Sequence, residues 1–202
     1  MGLADHGTAR WYDRIALGTW LLIGGGLIAV QAGILRAMGR VPICKCGYVK
    51  LWHGVVRSPE NSQQISDWYS FSHVIHGFIF YWLLNLFFRR LPTGFKLVLA
   101  IIVEAGWEIL ENSPATINRY RRTTISFDYF GDSVLNSVCD VLFCVLGFAI
   151  ARRLPPPVTI ALAVGMEIFV GYWIRDNLTL NVVMLIWPME AIRRWQEGAS
   201  GR

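Results

Sequence analysis

Charge is what this sequence has least of: only 16% of its 202 residues are Asp, Glu, Lys or Arg. A soluble domain of that length carries about 25%, so an ordinary soluble surface is excluded. An Ala-x-Ala cleavage site is missing after the first apolar block, where Arg36 and Arg40 stand instead. That block therefore reads as a retained helix, flanked by Arg10 and Arg14, and not as a cleavable signal peptide. His-Glu-x-x-His, a zinc-hydrolase signature, is absent, as is the internal inverted repeat that many carriers show. The net charge of +5 is not a nucleic-acid patch either. Its basic residues sit largely as pairs at block ends, Arg89-Arg90, Arg152-Arg153 and Arg193-Arg194, as membrane helices are flanked. Nucleic acid is set aside as a partner in favour of membrane lipids.

What the chain does have is hydrophobic residues, 54% of the total, gathered in long runs. About 17–25 apolar residues suffice to cross a hydrocarbon core of about 30 Å. Such blocks run from about Ile15 to Leu35, Phe71 to Phe88, Gly94 to Leu110, Val134 to Ala151 and Val158 to Ile174. A weaker sixth, about Leu178 to Ile192, contains Trp187-Pro188 and Glu190, and either crosses or enters and leaves on one side. The expected fold is all-α: an integral membrane bundle of five to six transmembrane helices. It forms a single transmembrane domain, 1–202, with an extramembrane loop at about 36–70. Gly24-Gly25-Gly26 fits close helix approach in lipid, and Trp11, Trp52, Trp68 and Trp195 fit an interfacial belt. Lys and Arg totals on the two sides barely differ, but the Arg pairs beside helix ends favour a cytoplasmic N-terminus.

The most informative point is independent of orientation. If spans alternate, block two starts on the face of the long loop with His73 and His76. Block three ends there with Glu104, Glu108 and Glu111. Block four begins there with Asp132, Asn136 and Asp140, and block five ends there before Arg175, Asp176 and Asn177. His73 and His76 are three apart and share a helix face. Glu104, Glu108 and Glu111 form one stripe, and Asp132, Asn136 and Asp140 another. At 1.5 Å per residue Glu104 lies roughly 10 Å deeper than Glu111, and Asp140 about 12 Å below Asp132. An ionised residue at mid-membrane costs roughly 2.5–3.5 kcal/mol, so these side chains need partners inside the bundle.

Three readings of the cluster stand side by side: a buried network that fixes packing, a proton or ion pathway, and a catalytic or metal site. In the last, His73, His76, Glu108 and Asp132 are candidate metal ligands, since imidazole with carboxylate suits a divalent ion such as zinc. Glu108, Glu111, Asp132 and Asp140 are candidate catalytic residues, Glu108 as general base. Arg121 and Arg122, in the loop after block three, together with Asn136, are candidates for binding an anionic substrate headgroup. Cys44-Lys45-Cys46 is a separate motif. One intervening residue is too few for a relaxed disulfide; the pair reads as ordinary loop thiols or thiols that bond elsewhere, and with His53 it could instead form a small metal site. Cys139 and Cys144 read as packing residues.

Several segments carry a resemblance: Ile43-Cys44-Lys45-Cys46-Gly47 with Leu51-Trp52-His53-Gly54, then Glu60-Asn61-Ser62-Gln63 and Asp67-Trp68-Tyr69. It continues through Ser72-His73 to His76-Gly77, Glu104 to Ser113, and Gly131-Asp132-Ser133 to Asp140. Over roughly residues 12–195 these resemble an uncharacterised family of alphaproteobacterial multi-pass inner-membrane proteins. The resemblance implies a location in the bacterial inner membrane and no reaction. Blocks two to four are more loosely similar to VanZ-like small membrane proteins, which implies cell-envelope or lipid-linked chemistry. The expectation is therefore a membrane-embedded enzyme, hydrolase or transferase, acting on a lipid or lipid-linked envelope molecule and using a divalent metal. A small permease, or an accessory protein with a partner in an envelope complex, are the alternatives.

Overall fold

The computed structural model describes residues 11–124 and 128–198; Arg10 lies outside them. All regular structure among the described residues is helical. After a short 3-10 turn, Trp11–Arg14, the helices are α1 Leu17–Ala37, α2 Ser70–Phe87, α3 Thr93–Glu111 and α4 Pro114–Thr123. They continue with α5 Val134–Arg153, α6 Pro156–Ile174, α7 Leu178–Ile186 and α8 Glu190–Glu197. The five longest match the first five apolar blocks. Their ends follow from local chemistry. Gly39 takes a left-handed φ of 86°, so that Arg40 N–H reaches Leu35 C=O and Gly39 N–H reaches Arg36 C=O, satisfying the last carbonyls of α1. Ser133 Oγ accepts the Asn136 N–H at the start of α5, and Pro156 opens α6 where no N–H partner is needed.

Two expectations are corrected. Arg119, Arg121 and Arg122 lie on α4 and not in a loop, because Ser113 caps the helix by accepting the Thr116 N–H and Pro114 occupies its first turn. The sixth block is not one helix. α7 has nine residues, about 14 Å of rise, less than half a hydrocarbon core of about 30 Å. Pro188 stops it, since a proline disfavours helical geometry in the residue before it. α8 then stands apart, held by the Arg193–Glu197 and Arg194–Glu190 pairs.

Among the described residues four helices, α1, α2, α5 and α6, are long and apolar enough to cross a membrane. α3 is as long as α6 but carries Lys96, Glu104, Glu108 and Glu111, and it packs on α1 and α5. The tightest contact is between α2 and α5. A Cβ on Gly77 would lie 2.1 Å from the Cys144 carbonyl oxygen, and one on Gly147 would lie 2.1 Å from that of Val74. The two backbones therefore touch at a pair of glycines, the small-residue packing used where lipid supplies no hydrophobic drive. Of Gly24-Gly25-Gly26, only Gly24 meets a neighbour, Ile101; Gly25 and Gly26 face open space.

The loop 38–69 folds onto the start of α5. Val134 and Leu135 donate N–H groups to Val41 and Pro42, Ser133 Oγ donates to Gln63 C=O, and Gln63 Nε2 donates to Gly131 C=O. Within the loop Cys44 and Cys46 are joined in a disulfide, and are neither free thiols nor a metal site with His53. A turn from Cys44 to Gly47, closed by an N–H···O bond and by a left-handed Gly47, brings their Cα atoms to 5.1 Å. That lies inside the usual disulfide range of about 4.4–6.8 Å. His53 Nε2 sits 3.1 Å from the Val55 carbonyl. The Lys50 ammonium and the Tyr48 hydroxyl hold the Glu60 carboxyl down to about 2.

At the far end of the chain, α8 docks through Gln196, which donates to Asp176 Oδ1, while the Tyr69 hydroxyl donates to Oδ2. Burial pushes the Asp176 carboxyl up to about 6, with the Asn177 N–H and Tyr69 pulling it down. A carboxyl raised in the folded state contributes stability below its unfolded value, near 4, and loses it as pH rises through about 6. Asp176→Asn should therefore flatten the pH dependence of thermal stability between about pH 4 and 6.5, where this group accounts for up to about 3 kcal/mol. A slope identical to that of the wild type would refute the assignment.

Candidate functional site

The polar helix ends do converge. Ahead of α2, the Asp67 carboxylate accepts the Tyr69 N–H at 2.8 Å and the Ser62 N–H at 3.0 Å, fixing how the chain enters the helix. One turn in, His73 and His76 turn toward α3. His73 Nδ1 lies 2.6 Å from Glu104 Oε1, and His76 Nδ1 lies 3.0 Å from the same oxygen. The other ring nitrogen of His73, Nε2, is 3.8 Å from Asp140 Oδ2. Asp140, two turns into α5, accepts the Ser70 hydroxyl at 3.3 Å.

Asp132, just before α5, is gripped from two sides. The Asn112 amide donates to its Oδ2 at 2.6 Å and the Tyr129 hydroxyl to its Oδ1 at 2.9 Å. Asn112 Oδ1 in turn accepts the Asp132 N–H at 2.8 Å. Burial pushes the Asp132 carboxyl up to about 6 even against those two donors.

Glu108 is the anomaly. It is 1% exposed, and neither carboxylate oxygen receives a hydrogen bond. The basic atom nearby, His73 Nδ1, is 3.5 Å away and already committed to Glu104. Leaving a buried charged group unsatisfied costs at least about 1–3 kcal/mol.

Most of these groups line a cavity of about 290 Å³, though Glu108 and Asn112 are not among its lining residues. Its polar floor includes His73, His76, Glu104, Glu111, Asp132 and Asp140. Its apolar lining comes from Phe80 of α2, Val103 and Trp107 of α3, and Leu178 and Val182 of α7. The lining exists because α7 is held off by α4. Arg119 Nε donates to the Leu185 carbonyl, and the Tyr120 hydroxyl donates to Asn181 Oδ1.

Seven of the residues singled out from sequence are thus brought together: His73, His76, Glu104, Glu108, Glu111, Asp132 and Asp140. Three overlapping sets have donor atoms within 4.8 Å of one another, namely His73/His76/Glu104, His73/Glu108/Asp140 and Glu108/Glu111/Asp132. The candidate substrate ligands are placed elsewhere. Asn136 donates its amide to Gln64 C=O and anchors the loop. Arg121 and Arg122 are exposed on α4, with Nε groups bonded to the Tyr129 and Asn118 carbonyls. No Lys or Arg is among the described residues that line the cavity. Asn112 and Tyr129 were not anticipated. Asn112 had a signal, because it continues the i, i+4 row of Glu104 and Glu108; Tyr129 had none.

No solved structure matches the chain. A UPF0314 protein of Rhizobium johnstonii is 57% identical over 179 residues, covering 89% of this chain and 92% of its own. A UPF0314 protein of Novosphingobium aromaticivorans is 55% identical over 185 residues, covering 87% and 93%. One of Sphingopyxis alaskensis is 57% identical over 180 residues, covering 89% and 96%. Nothing in these matches speaks for the VanZ-like likeness. The family model described as "Protein of unknown function (DUF2585)" matches residues 35–198, a stretch holding every residue of the site, and the chain belongs to that alphaproteobacterial family.

Proposed function

We propose that this protein is a metal-dependent enzyme of the bacterial inner membrane that acts on a lipid or lipid-linked envelope molecule. The observation that carries the reading is Glu108, a buried carboxylate with two unpartnered oxygens between His73 and Asp140 on one side and Glu111 and Asp132 on the other. A cation there would supply the missing partner. Once bound, it would polarise an ester or phosphoryl oxygen, or acidify a water. His73, Glu108, Asp132 and Asp140 would hold it, and Asn112 and Tyr129 would keep Asp132 oriented. The apolar side chains that line the cavity beside these polar ones suit a substrate with a polar head and a hydrocarbon tail. With no Arg or Lys lining the cavity, an anionic headgroup would meet the cation and not Arg121 or Arg122.

For topology, the N-terminus would be cytoplasmic and the cavity face periplasmic. The Cys44–Cys46 disulfide of the loop over that face favours this arrangement, because disulfides persist in the oxidising periplasm. The test is lipid profiling of a deletion strain complemented with wild type, His76→Ala, Glu108→Gln or Asp132→Asn. A lipid species should accumulate in the deletion and in all three variants, and disappear with wild type. Profiles that none of the variants alter would overturn the reading.

A further inference from the structure

The donor sets around Glu108 differ in kind, and the difference points beyond a single ion. His73 and His76 are both spent on Glu104 through Nδ1, which makes that trio a satisfied hydrogen-bonded group. A metal-binding histidine commonly donates its other ring N–H to a carboxylate in this way. With Nδ1 so engaged, Nε2 of His73 is the ring nitrogen left facing Asp140 Oδ2, 3.8 Å away. Either a proton on Nε2 or a metal ion bound to it would pair this nitrogen with the carboxylate.

The remaining carboxylates sort themselves around that axis. Asp140 receives only a serine hydroxyl. Asp132 receives an amide and a phenol, both neutral. Glu108 receives nothing, and its oxygens are within 4.8 Å of donors in both His73/Glu108/Asp140 and Glu108/Glu111/Asp132. Once Glu104 is assigned to the histidines, four carboxylates, Glu108, Glu111, Asp132 and Asp140, share His73 as their one nearby cationic group among the described residues, 3.5 Å from Glu108 and 3.8 Å from Asp140. Two divalent ions would balance them.

Resting on the metal-dependent reading above, we propose that the site holds two divalent cations side by side, bridged by Glu108. One is bound by His73, Glu108 and Asp140, the other by Glu108, Glu111 and Asp132, and Glu104 orients the histidines without touching either ion. Both oxygens of Glu108 are free, as a bridging carboxylate requires. Donors bonded to one ion at about 2.0–2.2 Å lie within about 4.4 Å of each other, so a spread of 4.8 Å closes with side-chain shifts of a few tenths of an ångström. Paired ions in such sites stand about 3.5–4 Å apart. The first set, with one nitrogen and two oxygens, suits zinc, iron or manganese. The second, all oxygen, suits manganese or magnesium. Manganese satisfies both.

The full-length protein, purified in detergent, is loaded with Mn²⁺, desalted, and measured by elemental analysis and by electron paramagnetic resonance. Two ions per chain with an exchange-coupled spectrum are expected. Asp132→Asn with Glu111→Gln should leave one ion and a simple six-line spectrum, and Glu108→Gln should abolish the coupling. One ion per chain in the wild type, or two without coupling, overturns the bridged pair and leaves the metal-dependent reading standing. No ion with Mn²⁺ or with Zn²⁺ overturns both. The wild-type spectrum decides the matter even if a variant fails to fold.

Discussion

Glu108→Gln is expected to make the chelator-treated protein more stable than wild type, and at the same time to abolish the stabilisation that divalent cations give it. The first effect follows from Glu108 being buried with no donor on either oxygen and with Asp140, Glu111 and Asp132 as neighbours. An amide carries no charge to desolvate, and its NH₂ can donate to Asp140 or Asp132. Relief of an unsatisfied buried group is worth about 1–3 kcal/mol, which at this chain length is a rise in melting temperature of roughly 2–10 °C. The second effect is linkage: a ligand bound only by the folded state at 100 times its Kd stabilises by about 2.7 kcal/mol, and a variant that cannot bind loses all of it. Thermal unfolding in detergent, with EDTA and with Mn²⁺, reads both. A variant less stable than wild type in EDTA and still responsive to Mn²⁺ would mean that Glu108 serves packing alone. Stability gained where binding is lost is the mark of a group retained for function at a cost to the fold.

How much of this could be read from sequence depends on which physical rule governs each part. The long helices were legible because apolar runs of membrane length admit few other structures. The site was legible because, if the apolar blocks alternate in direction, every second helix end comes to one face, so His73, Glu108 and Asp140 fall together without any pairwise contact being known. Short-range chemistry was harder. Ser113-Pro114 signals a helix start, yet the polar composition of Pro114–Thr123 reads equally as loop, so the sequence places Arg121 and Arg122 in a loop where the structure has α4. Asn136 sits on the correct stripe with Asp132 and Asp140. Its amide is nevertheless taken by Gln64, a residue whose approach depends on how the loop 38–69 folds. The Cys44–Cys46 bond likewise depends on a turn that spacing alone does not specify. Periodicity places residues on faces; it does not say which face residue a distant loop will claim.

The α2–α5 glycine contact yields the other large effect, and it ties packing to chemistry. Gly77→Ala places a methyl 2.1 Å from the Cys144 carbonyl oxygen and 2.5 Å from the Phe148 nitrogen, backbone atoms that no rotamer change can move. Restoring ordinary contact at 3.4 Å would force the helices apart by about 1.3 Å or tilt them, against an interior that resists strain. Overpacking costs about 1–3 kcal/mol where side chains can yield, and here the obstacle is backbone, so the upper end or more is expected. Gly147→Ala should do the same from the other side, against Val74. Gly25→Ala, facing open space on α1, is the control. It should be neutral or stabilising by up to about 1 kcal/mol, since alanine favours helix over glycine. The consequence for the site is direct. His73 lies one turn from Gly77 on α2, and Asp140 two turns from Gly147 on α5, so parting the helices widens the 3.8 Å between His73 Nε2 and Asp140. Gly77→Ala should therefore weaken Mn²⁺ binding at least tenfold in whatever fraction remains folded, although Gly77 touches no ligand. If it melts with wild type and binds Mn²⁺ equally well, then the backbones at this crossing have room that the geometry denies them, and the close approach of α2 and α5 is not what sets the distance across the site.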